Sequence, residues 1–306
     1  MIYLRDIEIF VATAEAGSLS EAARQLDLTP AAASASLKRL ERELHVALFV
    51  RSTRSLRLTQ EGEVYLQHCR QGLHAFAEGR NLLAGGDATV RGTLQISLPS
   101  DLGRNVVLPW LDDFQTRYPQ LQIRVQLSDR IAGVFRQPID IALRYGLPPD
   151  SNLVVLPVAP ANRRVLCAAP AYLARAGTPK TPTALIGHNC LCFLLGDSVH
   201  DRWRFTRGGR DEAVRVRGDR VADDGDAVRR WALAGRGIAY KSALDVADDL
   251  RAGRLIALCT DWQGEPAPLN LVCADRRQIN PAVRELRAFL AERCAALPAA
   301  LAGALP

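Results

Sequence analysis

Apolar residues three or four positions apart near the start of the chain predict two short amphipathic helices. Gly17 marks the end of the first helix, whose inward stripe comprises Leu4, Ile7, Phe10, Val11 and Ala14. The hydroxyl of Ser18 can accept a hydrogen bond from the backbone N–H of Glu21, which predicts a capping box at the start of the second helix. Ala22 and Ala23 lie on the inward face of this helix, where small side chains allow a neighbouring helix to pack closely.

A third helix is predicted from Pro30 to about Leu44. Thr29 is a favourable N-cap, and Pro30 suits the first helical position because the N–H that proline lacks would have no partner there. In a helix-turn-helix, the N-terminal residues of such a helix meet base edges in the major groove, where small side chains allow close approach. The residues on or near its outward face are Thr29, Pro30, Ala31, Ser34, Ala35 and Lys38.

Two short segments at 46–49 and 56–58 flank the basic stretch Arg51-Ser52-Thr53-Arg54. They predict a two-stranded wing whose Arg51 and Arg54 would reach the minor groove or the phosphates. Residues 1–58 are therefore predicted to form a winged helix-turn-helix domain that binds double-stranded DNA. A three-helix module with a solvated charged face would show the same helical periodicity, so this alternative stays open.

A long dimerisation helix is predicted after the wing, in a linker that spans residues 59–90 and ends at a hinge around Gly85 and Gly86. Its apolar residues follow the a/d spacing of a coiled coil and comprise Leu66, Cys69, Leu73, Phe76 and Leu83. An exposed seam of this kind needs a second chain, which predicts a homodimer or homotetramer with recognition helices on separate half-sites. The same seam could instead pack inside its own domain.

Strand and helix patterns alternate beyond residue 91. Apolar patterning predicts strands at 93–98, 121–127 and 139–143, and helical spacing predicts a helix at 106–118. This order implies a mostly parallel sheet covered by helices, with ligands bound outside the carboxyl ends of the strands. The residues that follow these ends are Ser100 and Leu102, in an expected polar loop, then Asp129 and Tyr145.

Composition and charge fit a protein of two domains. The chain has 306 residues, of which 48% are apolar and 24% charged, as in globular proteins. The formal net charge of +6 divides unevenly: residues 1–90 hold 10 basic and 11 acidic side chains (−1), and residues 91–306 hold 29 and 22 (+7). Residues 35–58 nevertheless carry six basic and two acidic side chains, a local excess suited to contacting phosphates.

The short apolar segments and the lack of a secretory signal pattern predict a cytoplasmic chain without a membrane span. Seven cysteines, an odd count, favour reduced thiols over a disulfide framework. Cys190 and Cys192 lie on one face of a predicted strand between His188 and His200; buried structural thiols are the default, and a metal or redox role is the alternative. No G-x-S-x-G, P-loop or H-E-x-x-H motif occurs, so no enzyme activity, cofactor or metal is predicted.

The first 66 residues resemble the N-terminal signature of LysR-type transcriptional regulators, through segments such as Phe10-Val11-Ala12, Ala22-Ala23-Arg24-Gln25-Leu26 and Leu37-Lys38-Arg39-Leu40-Glu41. In that family the third helix reads the major groove, a wing arginine contacts DNA and the long helix dimerises. The resemblance therefore implies DNA contacts by Thr29, Ala31, Ser34, Ala35, Lys38, Arg51 and Arg54. The family usually has Gln or Ser and then Pro at positions 30 and 31, and often Arg at 35. Because this chain has Pro30, Ala31 and Ala35, DNA shape is expected to carry more of the specificity.

Residues 91–306 resemble the effector domain of the same family, which is shaped like a periplasmic binding protein. The landmarks include Asp140 with Arg144 and the pair Asp224-Gly225. The resemblance implies two α/β subdomains, one formed by 91–161 with 266–306 and the other by 162–265, with a small-molecule effector in the cleft between them. The candidate cleft residues are Ser100, Leu102, Asp129, Tyr145, Phe193, Arg202, Trp203, Asp224 and Ala239.

Arg202 and Arg204 beside Trp203, in a region of charge +7, are consistent with an anionic or aromatic effector. A solvated arginine-rich face is the other interpretation. The expected function is a sequence-specific, DNA-binding transcriptional regulator that a small-molecule effector controls. A small-molecule binding protein or an enzyme with an appended helical domain is the alternative.

Overall fold

The structure is a computed structural model that describes residues 2–51, 56–83, 90–129, 139–147, 153–195 and 198–301. It divides into two compact units, an N-terminal unit up to Thr89 and a C-terminal unit from Val90. Arg54 of the predicted wing and the predicted hinge at Gly85 and Gly86 lie outside the described residues.

The N-terminal unit begins with three helices whose ends follow from their capping residues. They are α1 (Leu4–Ala16), α2 (Leu19–Gln25) and α3 (Pro30–Leu44). Gly17 ends α1 in the left-handed conformation, with a φ of 63°. The hydroxyls of Ser18 and Thr29 cap α2 and α3 by accepting hydrogen bonds from the backbone N–H of Glu21 (3.5 Å) and of Ala32 (3.2 Å).

A two-stranded sheet and a long helix complete this unit. They are β1 (Phe49–Arg51), β2 (Leu56–Leu58) and α4 (Gln60–Leu83). The two strands pair antiparallel, with Phe49 opposite Leu58, as predicted for a wing. The carboxylate of Glu41 on α3 accepts hydrogen bonds from the backbone N–H groups of Leu48 (2.8 Å) and Phe49 (3.2 Å). These bonds tie α3 to the start of the wing.

Side chains from the first half of α4 form part of the core of the N-terminal unit. Leu66 and Cys69 are 6% and 5% exposed and belong to the buried cluster around Phe10. Leu73 packs at the edge of the same cluster, whereas Phe76 is 66% exposed. The predicted dimer seam is therefore wrong at Leu66 and Cys69, because the core of their own unit covers both side chains.

The C-terminal unit contains two large sheets, and the part built on the first sheet is called the first lobe. Its strands are β3 (Gly92–Leu98), β4 (Leu121–Leu127), β5 (Ile141–Tyr145), β6 (Val154–Ala159) and β16 (Leu269–Cys273). They lie in the order β4-β3-β5-β16-β6. As expected, β3 is parallel to β4 and β5, but β16 runs antiparallel to β5 and β6. The sheet is therefore mixed at one side.

Helices cover the sheet of the first lobe. They are α5 (Ser100–Leu102), a π-helical turn (Gly103–Val107), α6 (Leu108–Arg117), a 3-10 turn (Arg276–Gln278) and α10 (Pro281–Leu301). The expectation of a polar loop after β3 is wrong. The chain enters α5 and the π-helical turn directly after this strand, and these turns bury Leu102 and Val107 in the core. Gly103 permits this close approach: a Cβ there would lie 2.5 Å from Leu127 Cδ2 and 2.9 Å from Leu98 Cβ.

The second lobe is built on a six-stranded sheet. Its strands are β7 (Arg164–Ala168), β8 (Cys190–Leu195), β9 (Ser198–Val199), β12 (Val221–Ala222), β13 (Ile238–Ser242) and β14 (Ile256–Leu258). A three-stranded sheet adds β10 (Arg202–Arg207), β11 (Arg210–Arg215) and β15 (Gln263–Gly264). The helices are α7 (Pro170–Ala176), α8 (Gly225–Leu233), α9 (Ala243–Arg251) and a 3-10 helix (Pro182–Gly187).

Two segments of chain run side by side between the lobes. The backbone N–H of Ala267 donates to the carbonyl of Asn162 at 2.9 Å, and the N–H of Arg164 donates to the carbonyl of Glu265 at 2.9 Å. These bonds hold the lobes together at one side, so that a cleft opens between them.

All seven cysteines are buried free thiols. Burial raises the pKa of every one: to about 11 for Cys69 and Cys259, to about 12 for Cys167, Cys190 and Cys294, and in the same direction for Cys192 and Cys273. In the part of the chain that the structure describes, no three His, Cys, Asp or Glu side chains gather as metal ligands would. Among the described helices, none has the length and apolar character needed to cross a bilayer.

Candidate functional site

One face of α3 is exposed, and the predicted DNA contacts of this helix lie on it. The opposite face is buried through Ala33, Leu37 and Leu40. Of the predicted contacts, Ser34 is half-buried, and the exposed ones are Thr29, Ala31, Ala35 and Lys38. The structure therefore gathers these five residues on a single surface. Arg51, the predicted wing contact, is the last residue of β1.

One basic residue of α3, Arg39, forms an ion pair within the N-terminal unit and does not belong to this surface. The Nε of Arg39 donates to the carboxylate of Asp6 at 2.9 Å, and a second guanidinium nitrogen contacts the same carboxylate. Asp6 is fully buried and the Arg39 side chain is 38% exposed, so this bidentate pair links α1 to α3 at the edge of the core. It also cancels one of the six positive charges counted between residues 35 and 58. The partner lies far away in the sequence, and no local pattern indicates it.

A cleft between the two lobes has an empty volume of about 720 Å³ including its mouth. A buried ion cluster forms part of its wall. The Nζ of Lys241 lies 2.6 Å from Asp101 Oδ2 and 3.2 Å from Asp245 Oδ2, and it donates to the carbonyl of Gly225 at 3.0 Å. The hydroxyl of Tyr145 donates to Asp245 at 2.6 Å. Two buried carboxylates thus share one ammonium group, and one of them, Asp245, also accepts a hydrogen bond from a phenol.

This sharing shifts the protonation equilibria of the cluster. Burial raises the pKa of Asp101 to about 7, because Lys241 only partly offsets the loss of water and the charge of Asp245 adds to it. Burial by itself lowers the pKa of Lys241, but the two carboxylates outweigh it, so the pKa of Lys241 is raised. The lysine therefore stays charged, and Asp101 is the member that gains a proton as the pH falls.

Asp129 bridges the two lobes beside this cluster. Its Oδ1 accepts a hydrogen bond from the backbone N–H of Ser100 at 2.8 Å, and its Oδ2 accepts one from the backbone N–H of Gly225 at 2.8 Å. The hydroxyl of Ser100 donates to the same Oδ2. Asp224 caps α8 next to this point and accepts a hydrogen bond from Arg104 of the first lobe at 3.1 Å.

Aromatic side chains form another part of the wall. Phe193, Trp203 and Tyr240 line the cleft, and the rings of Trp203 and Tyr240 lie 5.1 Å apart. The indole N–H of Trp203 donates to the carbonyl of His200 at 3.0 Å, and His200 Nε2 lies 3.1 Å from Glu265. This wall offers an apolar surface whose polar atoms have partners, which suits a small molecule with an aromatic or aliphatic body.

Three of the predicted cleft residues point elsewhere. Leu102 is fully buried in the core of the first lobe, because α5 begins where a loop was expected. Ala239 is also fully buried: successive side chains of a strand face opposite sides, so Tyr240 lines the cleft and Ala239 packs on the other face of β13. Arg202 is exposed for the same reason, because β10 turns Trp203 inward.

The other predicted positions lie at the cleft. Asp129, Tyr145, Phe193 and Trp203 line it. Ser100 and Asp224 lie beside them through the hydrogen bonds described above.

Apart from Asp129, the sequence analysis missed the charged residues of the cleft wall, which are Asp101, Arg144, Arg164, Lys241 and Asp245. Two of them carried a usable signal, since Arg144 and Lys241 each directly follow three hydrophobic residues of a predicted buried strand, where a charged side chain is unusual. Arg144 is 6% exposed, and burial lowers its pKa to about 10. It donates to Ser97 Oγ at 2.7 Å.

Comparison with known proteins places both units in one family. Residues 4–63 match the family described as bacterial regulatory helix-turn-helix protein, lysR family, and residues 87–295 match the LysR substrate binding domain. The chain is 35% identical over 301 residues to a probable HTH-type transcriptional regulator, LtrA, of Klebsiella pneumoniae; the match covers 97% of this chain and 96% of that protein.

Solved structures of full-length regulators are also similar. CrgA, a LysR-type transcriptional regulator from Neisseria meningitidis, is 29% identical with a TM-score of 0.59, over 96% of this chain and 98% of CrgA. A full-length variant of OxyR from Pseudomonas aeruginosa has a TM-score of 0.68 at 15% identity, over 96% of this chain and 95% of OxyR, and shows the likeness of fold alone. These matches confirm the predicted fold class. The chain therefore belongs to the lysR family of bacterial helix-turn-helix proteins and is a LysR-type transcriptional regulator with an effector-binding domain.

Proposed function

We propose that this regulator binds double-stranded DNA through the exposed face of α3 and through the wing. The contacts would be Thr29, Ala31, Ser34, Ala35, Lys38, Arg51 and Arg54. The observation that carries the proposal is the one-sided burial of α3, which leaves the predicted contacts of this helix on one surface. Small side chains at Ala31 and Ala35 let the helix approach base edges, and Lys38 offers a positive charge one turn later for a phosphate.

We also propose that the protein acts as a homodimer or homotetramer, held in part by the second half of α4. Phe76 is 66% exposed on this helix, beyond the segment that the N-terminal core covers. An exposed aromatic side chain on a helix with the a/d spacing of a coiled coil favours packing against a second chain. Two copies would then present two α3 helices to half-sites about one helical turn of DNA apart, or a multiple of that.

A small-molecule effector would occupy the cleft between the lobes. The cleft combines an aromatic wall with a few fixed polar groups, the usual composition of a small-molecule site. The paired segments at Asn162 and Ala267 support a division into subdomains 91–161 with 266–306 and 162–265, after a DNA-binding domain at 1–58 and a linker at 59–90. An effector changes DNA affinity only if it binds one arrangement of the protein better than the other.

A DNA titration at two salt concentrations tests the DNA-binding proposal. The purified protein is titrated with its own upstream DNA and with a scrambled duplex of equal length, at about 50 and about 200 mM salt. We expect a preference for the upstream DNA and a steep loss of affinity at the higher salt, because bound phosphates release counterions. Binding without sequence preference that survives high salt would contradict the proposal and favour a small-molecule binding protein or enzyme.

A further inference from the structure

The carboxylate of Asp129 occupies a position built for an anion. Three donors converge on it: the backbone N–H of Ser100, the hydroxyl of Ser100 and the backbone N–H of Gly225. The Gly225 N–H is bifurcated, because it also donates to Ser100 Oγ at 2.8 Å. Gly225 is the first residue of α8, so its N–H belongs to the positive end of a helix of nine residues. Hydrogen bonds from such donors to a carboxylate are stronger than bonds between neutral groups.

This position is part of the cleft and not of the outer surface. Asp129 and Gly225 both line the cleft, and Gly225 is buried there. A Cβ at Gly225 would lie 3.2 Å from Lys241 Nζ and 3.5 Å from Ser100 Oγ, so the backbone itself approaches the donors and the ion cluster. The guanidinium of Arg144 faces the same cleft, and the charge of Asp129 favours its charged form.

The carboxylate that occupies this anion-binding position belongs to Asp129 itself, and its hydrogen bonds join the two lobes. Ser100 and Asp129 follow β3 and β4 of the first lobe, whereas Gly225 begins a helix of the second lobe. An anionic group of a bound molecule would find these donors already engaged and would meet the charge of Asp129 at close range. Two like charges repel each other more strongly in a partly buried cleft than in bulk water, because the surroundings screen them less.

We propose that Asp129 is a specificity-determining residue, which fills the anion-binding position of the cleft with the chain's own carboxylate and so excludes an anionic group of the effector from it. The effector then presents a neutral or cationic group there and places its apolar body against Phe193, Trp203 and Tyr240. This inference rests on the proposed function of the cleft. It favours the aromatic over the anionic class of effector.

Chemical rescue with formate tests the role of Asp129. Asp129→Ala removes the carboxylate, so that the N–H and hydroxyl of Ser100 lose this acceptor and the N–H of Gly225 keeps only Ser100 Oγ. A carboxylate from solution can then accept hydrogen bonds from these donors. The thermal unfolding of the full chain is followed through the fluorescence of its four tryptophans, all of which lie in the C-terminal unit. We expect saturating formate to raise the unfolding temperature of the variant by about 2–4 °C and to leave the native protein unchanged.

Three controls separate a specific effect from an ionic one. Formamide has the shape of formate without its charge and should not rescue the variant, and sodium chloride at equal ionic strength should not either. Asp211→Ala removes an exposed carboxylate from the β10–β11 hairpin and should gain no response to formate. An equal response of the native protein, the Asp129 variant and the Asp211 variant would overturn the proposal.

A second variant covers the case in which Asp129→Ala fails to fold. Asp129→Ser keeps a hydroxyl near the donors and leaves room for the ion, and it should respond to formate in the same way. If formate stabilises neither variant beyond the Asp211 control, the position does not bind anions and the proposal fails. The DNA titration described above is run on the native protein without formate, so its failure would count against DNA binding and not against the role of Asp129.

Discussion

Lys241 Nζ lies 2.6 Å from Asp101 Oδ2, and the two side chains are 8% and 2% exposed. Lys241 is on β13 of the second lobe, and Asp101 is on α5 of the first. Asp245 also lies 3.2 Å from the same ammonium group, so one lysine contacts two buried carboxylates, and Arg229 Nε lies 3.9 Å from Asp101 Oδ1. The contact therefore joins the lobes through charges that depend on one another.

Replacing this lysine should destabilise the C-terminal unit strongly. Lys241→Met keeps most of the side-chain volume but removes the nearest cation of two buried carboxylates, of which Asp101 keeps, among the described basic side chains, only Arg229 at 3.9 Å. Loss of one partner of a buried pair costs about 3–5 kcal/mol. Urea unfolding followed by tryptophan fluorescence measures the change. Arg251→Met is the matched control: its pair with Asp248 is 45% and 60% exposed, and its loss should cost less than about 1 kcal/mol. Equal losses in the two variants would show that the cluster does not stabilise the fold.

The raised pKa of Asp101 predicts a dependence of stability on pH. In the unfolded chain this carboxyl group titrates near pH 4, and in the folded protein it titrates at about 7. Between these values the folded state holds a proton that the unfolded state has lost, so the contribution of Asp101 to the free energy of unfolding falls as the pH rises from about 4 to about 7.

Asp101→Asn removes this titration. The stability difference, native minus variant, should therefore decrease as the pH rises from 5 to 7 and become flat above about 7.5. Urea unfolding at five pH values measures it. Asp248→Asn removes an exposed carboxylate from α9 and should show no such slope above pH 5. A difference that rises with pH would mean that Lys241 dominates and that the pKa of Asp101 is lowered.

Lys38→Ala should weaken DNA binding uniformly across sequences. Its exposed side chain on α3 is proposed to contact a phosphate, so its loss should reduce the slope of log affinity against log salt by about 0.9. Fluorescence anisotropy with the upstream and scrambled duplexes measures both quantities. Lys180→Ala, an exposed lysine of the C-terminal unit, should leave them unchanged. An unaltered slope in the Lys38 variant would remove this residue from the proposed interface.

Phe76→Asp should dissociate the proposed oligomer without unfolding the chain. The aromatic ring is 66% exposed, so a charge there is solvated in the monomer but costly in an apolar interface. Sedimentation measures the mass. Val64→Asp is a control on the same helix, 56% exposed and roughly 120° around its axis, and should keep the native mass. If the Phe76 variant also keeps that mass, another surface holds the copies together.

Local signals made much of the fold predictable. The predicted third helix, Pro30 to Leu44, matches α3 because a cap and a proline fix its start. Strand β4 matches the predicted 121–127 because its apolar alternation is short-range. The antiparallel pairing of β16 with β5 and β6 was not predictable from such patterns, since it depends on where a distant segment returns to the sheet.

The cleft was predictable only in part, because it too depends on contacts between residues that are far apart in the sequence. Asp129 and Trp203 could be placed near it from strand ends and from the family resemblance. The partnership of Asp101 with Lys241 could not, because it joins residues far apart in sequence and no periodicity records it. The pairing of Arg39 with Asp6 was unpredictable in the same way, and it neutralises one of the positive charges counted between residues 35 and 58.

The seven buried thiols give the protein a built-in reporter of opening. Only a thiolate reacts readily with alkylating reagents, and burial both covers these sulfur atoms and raises their pKa values. One of them, Cys69, belongs to the N-terminal unit, and the other six belong to the C-terminal unit. The positions of the alkyl groups, mapped by peptide mass, therefore tell which unit has opened: an adduct on Cys69 reports the N-terminal unit, and adducts on the other six report the C-terminal unit.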